Sequence, residues 1–262
     1  MDKIFFSIII ALYKESPDQI KTSINSIINQ TYKNFEIIII IDNPDFLHKD
    51  LLINLLNRHD KVKIINNHKN LGLTKSLNIG IGKSIGEYIV RQDGDDYSFE
   101  NRLKIAYQKL SKITAPIYST PARVNGVLKP NFFIRKYFTP DILRYKNVLF
   151  HGALIIKTDL LKKVMYNEEY TYCQDFELYN RLLDFSELFF YDKENISYNH
   201  TINDKSISFL KKNEQRKYFC KVLKRNGYQW TQNKISKALR IDLVLDIFWI
   251  IKNKLIKHEK IS

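Results

Sequence analysis

The sequence predicts an α/β fold built on a mostly parallel sheet, and three observations point there. Apolar runs rich in isoleucine, such as "SIIIAL" and "FEIIIII", alternate with segments of helical period. Runs of this kind without polar alternation are strands buried on both faces, as parallel sheets require. Each run ends in polar or turn-forming residues, and the 262-residue chain, 44% hydrophobic and 27% charged, is long enough for one large domain.

The elements follow in order. "FFSIIIALY" is the first strand. "SPDQIKTSINSIINQ" is a helix, with Ser16 as N-cap, Pro17 at the first helical position, and Ile20, Ile24, Ile27 and Ile28 on one face. "FEIIIIIDNPD" is the second strand, "DLLINLLNRH" a helix, "VKIINN" the third strand and "GLTKSLNIGIGKS" a helix. "GEYIVRQDGDD" is the fourth strand and "SFENRLKIAYQKL" a further helix. From Ile113 to Leu149 the periodicity weakens and Pro116, Pro121, Pro130 and Pro140 cluster, so short strands and loops are expected. "GALIIKTDLLKKV" reads as strand then helix and "YCQDFELYNRLL" as a helix. "ELFFYDKENISYNHTINDKSIS" reads as one final strand and a loop, before basic helices.

Composition excludes several classes. Two cysteines, Cys173 and Cys220, rule out a disulfide scaffold and fit a reducing compartment. The N-terminal apolar run lacks a basic flank and a small-residue cleavage site, so it reads as a buried strand and not a signal peptide. The net charge is +14, but residues from 211 onward hold 14 Lys and Arg against 4 Asp and Glu, so +10 of it lies in the last fifth. A near-neutral body with a basic tail suggests an anionic surface more than a nucleic-acid groove.

In parallel α/β sheets, ligands bind beyond the carboxyl ends of the strands. Tyr13–Glu15, Asp42–Asn43 and Asp93–Asp96 all fall there. The "DGDD" cluster admits two readings: a solvated turn capping the next helix, or a site for a hard divalent cation, which prefers carboxylate oxygens. Asp42 is either a turn residue ending its strand or a hydrogen-bond acceptor for a nucleobase, and Tyr13 either core or a stacking platform. Asp175 and Glu177 either favour the helix dipole or supply a general base. His151 and His200 are either structural or ligand-binding.

These pieces occur in one order that resembles glycosyltransferase family 2. The opening "FSIIIALYKESPDQIKTSINSIINQTYKNFEIIIIIDNP", then "NLGLTKSLNIGIGKSIGEYIVRQDGDD", "FHGALIIKTDLLKKV", "QDFELYNRL" and "YNHTINDKSIS" carry the likeness over about residues 4–208. The resemblance implies a GT-A fold, with a glycosyltransferase domain over 1–210 and a basic helical extension over 211–262. Residues 1–105 would form its nucleotide-sugar-binding half and 106–210 its acceptor-binding half. It implies an inverting transferase that moves a sugar from a nucleotide-sugar, UDP-linked by resemblance, to a glycan or lipid-linked acceptor, with Mn²⁺ or Mg²⁺. Carried over by position, Ala11, Tyr13, Glu15, Asp42, Asn78, Asp93 and Asp95 bind the nucleotide. Asp95, Asp96 and His200 serve the metal, Asp175 is the catalytic base and His151 meets the acceptor.

The chain departs from the family pattern at Ala11, Lys14, Ile41, Gln174 and Asn199, which puts local contacts in question. The Lys-, Ile- and Asn-rich composition hints at an AT-rich bacterial genome and at surface-polysaccharide synthesis (capsule, lipopolysaccharide or O-antigen). The rival readings are a sugar-phosphate nucleotidyltransferase, disfavoured because "ALYKESP" has no glycine, and a basic nucleic-acid-binding module, opposed by the acidic rim. In the tail, 237–260 reads as an amphipathic helix that holds the enzyme peripherally on the cytoplasmic face of the membrane. Its alternative is a helix packed on the domain or on a second copy in a homodimer.

Overall fold

The computed structural model describes residues 3–130, 135–136, 138–185, 189–200 and 210–227. Its centre is a seven-stranded sheet, in spatial order β10-β6-β9-β4-β1-β2-β3. These strands are β1 (Phe6–Leu12), β2 (Phe35–Ile41), β3 (Val62–Asn66), β4 (Tyr88–Asp93), β6 (Ile117–Ser119), β9 (Ile155–Lys157) and β10 (Phe189–Tyr191). β9 alone runs against its neighbours β4 and β6, so the sheet is mostly parallel, as the sequence pattern predicts, with one antiparallel strand.

The isoleucine runs explain the middle of the sheet. Ile8 and Ile10 of β1 and Ile37, Ile39 and Ile41 of β2 pack on α1 (Pro17–Ile28) through Ile20, Ile24 and Ile27. Their alternates Ile9, Ile38 and Ile40 pack on α3 (Leu73–Lys83) through Leu77 and Ile81. Every one of these strand isoleucines is at most 1% exposed. Fully burying each is worth about 1.5–3 kcal/mol, which accounts for strands apolar on both faces. α1 begins in a capping box, where Ser16 accepts from Gln19 N–H and Gln19 accepts from Ser16 N–H. α2 (Lys49–Leu56) also lies on the α1 layer, and α4 (Arg102–Leu110) follows the acidic turn.

A second sheet of four short strands has the order β5-β11-β7-β8: β5 (Tyr97–Ser98), β7 (Ala122–Val124), β8 (Val127–Lys129) and β11 (Tyr198–His200). The stretch expected as one final strand is therefore two, β10 and β11. Asp192 divides them, accepting from Glu194 N–H and from Asn195 Nδ2 in an Asx-type turn. β11 pairs antiparallel with β5, setting Tyr198 opposite Ser98 and Asn199 opposite Tyr97.

α5 (Thr158–Val164) and α6 (Gln174–Phe185) cover the α3 face of the central sheet. α7 (Lys212–Arg225), where the expected extension begins, packs on α6. Cys220, Val222 and Leu223 join Phe176, Tyr170 and Cys173, and Arg225 Nη1 bonds Glu177 Oε1 at 2.6 Å. The tail segment 237–260 lies outside the described residues. Among the described residues no helix is long and apolar enough to cross a membrane.

Candidate active site

The carboxyl ends of β1, β2 and β4 are in register, with Leu12 beside Ile41 and Ala11 beside Asp93. Ala11, Tyr13, Glu15, Asp42, Asp93, Asp95 and Asp96 therefore share one rim. Tyr13 is 39% exposed, with Lys14 Nζ 4.8 Å from its ring centroid. Its N–H donates to Glu15 Oε2 at 2.6 Å. Asp42 is buried, and its carboxylate accepts from Asn67 Nδ2, Leu71 N–H and Gly72 N–H, each at 2.8 Å. It thus ties the end of β2 to the turn that opens α3.

The three clustered aspartates have different partners. Arg91, on buried β4, donates from Nη2 to Asp93 Oδ1 at 2.5 Å. Burial would raise Asp93, but Arg91, His151, His200 and the Tyr198 hydroxyl together hold it below the usual carboxylate value. Asp96 is buried, and His200 Nδ1 lies 2.7 Å from its Oδ2. Burial works against charge on His200, yet the bond to Asp96 and the fields of Asp96, Asp93 and Asp95 raise its pKa overall.

Asp95 has no ion-pair partner among the described residues. Burial, then Asp93, Asp96 and Glu15, push its carboxyl up to about 7. Burial, with a smaller push from Asp93, also raises Glu15. Gly94 lets this turn close, since a Cβ there would overlap Leu12 and crowd Glu15.

Two residues outside the sequence expectations hold the turn from behind. Arg102 is 1% exposed and donates to Arg91 O (3.0 Å), Gly152 O (2.5 Å) and Ser98 Oγ (2.8 Å), with its guanidinium 5.1 Å from the Tyr198 ring centroid. Burial lowers its pKa to about 10, so it remains a cation at neutral pH. Tyr198 accepts from Asp93 N–H at 3.0 Å. Gly152 lies against that ring, and a Cβ there would overlap it. β11 is three residues long and puts Tyr198 and His200 on one side of the strand. Arg91 stood in the quoted motif as a charge inside an apolar strand.

Asp175 enters from the other half. Cys173, at φ +58°, turns the chain into α6 and leaves Asp175 in its first turn. Asp175 Oδ2 accepts from Asn147 Nδ2 at 2.8 Å. Glu177 points inward instead: it is 0% exposed and bonded by Arg181 and Arg225. His151 responds to the charges of both Asp93 and Asp175. Burial, then Arg91, lowers its pKa to about 4, so the imidazole is neutral near pH 7. Asn78 is spent elsewhere, both its amide hydrogens and its oxygen bonding the backbone of Tyr166 and the side chain of Glu168.

A divalent ion was expected on Asp95, Asp96 and His200. Asp96 and His200 are instead bonded to each other, and among the described residues no three His, Cys, Asp or Glu side chains converge to hold a metal by themselves. The donor set still suits Mg²⁺ or Mn²⁺, which are commonly held by one or two carboxylates with substrate phosphates completing the shell. Of the three clustered aspartates, Asp95 is the one without a cationic partner among the described residues.

Comparison with known proteins bears on this rim. The family model for glycosyl transferase family 2 matches residues 7–185. The chain belongs to glycosyltransferase family 2. This glycosyltransferase is 28% identical over 273 residues to an uncharacterized glycosyltransferase, MJ1057, of Methanocaldococcus jannaschii, covering 96% of this chain and 93% of that one. It is 29% identical over 191 residues to the O-antigen biosynthesis glycosyltransferase WbnJ of Escherichia coli, covering 68% and 71%. Among solved structures, S. aureus TarS 1-349 in complex with UDP superposes with a TM-score of 0.68 at 17% identity, covering 88% of this chain and 68% of that one. The chain spans 39% of the length of another TarS crystal structure. The mannosyltransferase PcManGT of Pyrobaculum calidifontis, in complex with GDP-Man and Mn²⁺, gives a TM-score of 0.64 at 16% identity, covering 78% and 59%. These likenesses establish the GT-A fold for this glycosyltransferase.

Proposed function

We propose that this glycosyltransferase is an inverting enzyme that moves a sugar from a UDP-sugar to a hydroxyl of a glycan or lipid-linked acceptor in bacterial surface-polysaccharide synthesis. One observation carries the reading: the strand ends gather Asp42, Asp93, Asp95 and Asp96 on one rim, and Asp175, in the first turn of α6, is near enough to share the field at His151 with Asp93. TarS binds UDP and WbnJ serves O-antigen synthesis, which supports the donor and the setting.

In this reading the nucleotide lies along Ala11, Tyr13, Glu15 and Asp42, with the diphosphate toward Asp93 and Asp95. A bound Mn²⁺ or Mg²⁺ on Asp95 would neutralise the departing diphosphate. Asp175 accepts the proton of the acceptor hydroxyl as its oxygen bonds to the anomeric carbon. The bond from that carbon to the diphosphate oxygen breaks on the opposite face, and UDP leaves with the electron pair. A lone base at the start of α6 supports inversion, because its neighbour Glu177 is committed to Arg181 and Arg225. A general base is typically worth 10²–10⁴-fold. Asp175→Asn should therefore lower turnover by about 10²–10⁴-fold, with UDP affinity changed less than about twofold. Turnover equal to wild type across a panel of UDP-sugars would remove Asp175 from this role.

The basic tail brings the enzyme to the cytoplasmic face, where a lipid-linked acceptor would lie. Flotation with anionic liposomes, full chain against a chain ending near residue 230, tests that contact. Loss of flotation in the shorter chain is expected, and equal flotation would exclude the tail.

A further inference from the structure

The segment between α5 and α6 is held in an uncommon backbone conformation from two sides. Met165 has φ +53°, a region that L side chains other than Asn and Asp seldom occupy. From α6, Arg181 donates to Val164 O (2.5 Å) and Met165 O (2.7 Å). From α3, Asn78 accepts from Tyr166 N–H (2.9 Å) and donates to Tyr166 O (3.0 Å). Strained residues persist where surrounding contacts over-determine them, and they cluster at functional sites. This turn delivers the buried Tyr166, whose hydroxyl lies 2.5 Å from His151 Nε2, the two rings edge to face at 5.5 Å.

We infer that Tyr166 is a positioning residue that fixes His151 as the Nδ1–H tautomer, and that Asn78 acts on the site through Tyr166. The neutral imidazole needs one donor and one acceptor assignment, and the partner of one nitrogen decides the other. A phenol O–H donates well to an unprotonated imidazole nitrogen, so Nε2 accepts and Nδ1 carries the proton. Burial keeps the Tyr166 phenol protonated. With Asp93 and Asp175 both felt at His151, an N–H at Nδ1 is electrostatically favoured over a lone pair. On the transferase reading, that N–H donates to an oxygen of the acceptor sugar, opposite the base.

Long-range ¹H–¹⁵N correlation spectra of the full chain with ¹⁵N-labelled histidine test this, His151 being assigned by its loss in His151→Gln. Wild type should show protonated Nδ1 and bare Nε2 at His151. Tyr166→Phe, which keeps the ring and so the packing, should mix or reverse that tautomer and lower kcat roughly tenfold, the equivalent of one hydrogen bond. Asn78→Ala should alter the same His151 signals and leave UDP affinity within about twofold, and the double variant should be no worse than the more affected single one. An Nε2–H tautomer in wild type, or an unchanged tautomer in Tyr166→Phe, would overturn the inference. So would weaker UDP binding in Asn78→Ala with His151 undisturbed, which would return Asn78 to the nucleotide. The tautomer is read without turnover, so failure of the transferase reading would leave this result standing.

Discussion

Gly152 and Tyr198 touch so closely that no side chain fits between them. Tyr198 in turn receives the Asp93 N–H, and Arg102 holds the Gly152 carbonyl. Gly152→Ala should therefore displace the tyrosine and, with it, the acidic turn. Overpacking of this kind costs about 1–3 kcal/mol, so the melting temperature should fall by several degrees and turnover by at least about tenfold. Wild-type turnover in that variant would mean that Tyr198 does not support the aspartates. At this scale the sequence offered the acids and His200 as candidates but not the arginines behind them. Arg91 and Arg102 were illegible because a charged residue in a strand or helix ordinarily reads as solvent-facing. Their burial is specified only when β4, the turn at His151 and β11 come together. Likewise nothing local distinguishes Asp175 from Glu177 at the start of α6. The distinction arises when Arg181 and Arg225 claim Glu177.

The long elements were legible and the short ones were not. Five consecutive isoleucines can be buried only between two helical layers, so β2 and its neighbours followed directly from the pattern. β5, β7, β8 and β11 have two or three residues each, too few for a period, and β11 finds its partners 76–102 positions earlier, in β7 and β5. One polar residue inside β2 also escapes the pattern. Glu36 is buried and accepts from Ser7 Oγ (2.6 Å), Ile85 N–H (2.8 Å) and Lys63 Nζ (2.8 Å), joining β1, β2, β3 and the turn before β4. Burial acts to raise its pKa, but the bonds from Lys63, Ser7 and Ile85 outweigh it and hold the folded value below 4.5. Its contribution is thus fully present above pH 4.5 and lost as the pH falls through the depressed value. Glu36→Gln should cost about 1–3 kcal/mol at pH 7. The gap between wild type and variant in urea melts should narrow below pH 4.5. A gap independent of pH from 3 to 7 would show that the charge contributes nothing.

Across the whole molecule, charge is divided by function. The basic excess lies in the last fifth of the chain, while one rim of a near-neutral α/β body gathers five carboxyl groups, Glu15, Asp42, Asp93, Asp95 and Asp96. Two of the aspartates have side-chain partners, Asp93 the buried Arg91 guanidinium and Asp96 the His200 imidazole. On the proposed reading, Asp95 is the carboxylate that would meet an ion arriving with the diphosphate. The family order of motifs made this rim legible from sequence, but the division of labour among the aspartates needed the fold, because their partners come from β4 and β11. The most direct measurement is calorimetric titration of UDP into the full chain with and without Mn²⁺, for wild type and Asp95→Asn. The account predicts binding that strengthens at least about tenfold with Mn²⁺ in wild type, and an Asp95→Asn variant that folds normally but has lost that enhancement. Mn²⁺-enhanced UDP binding that survives intact in Asp95→Asn, or no UDP binding under any condition, would contradict it.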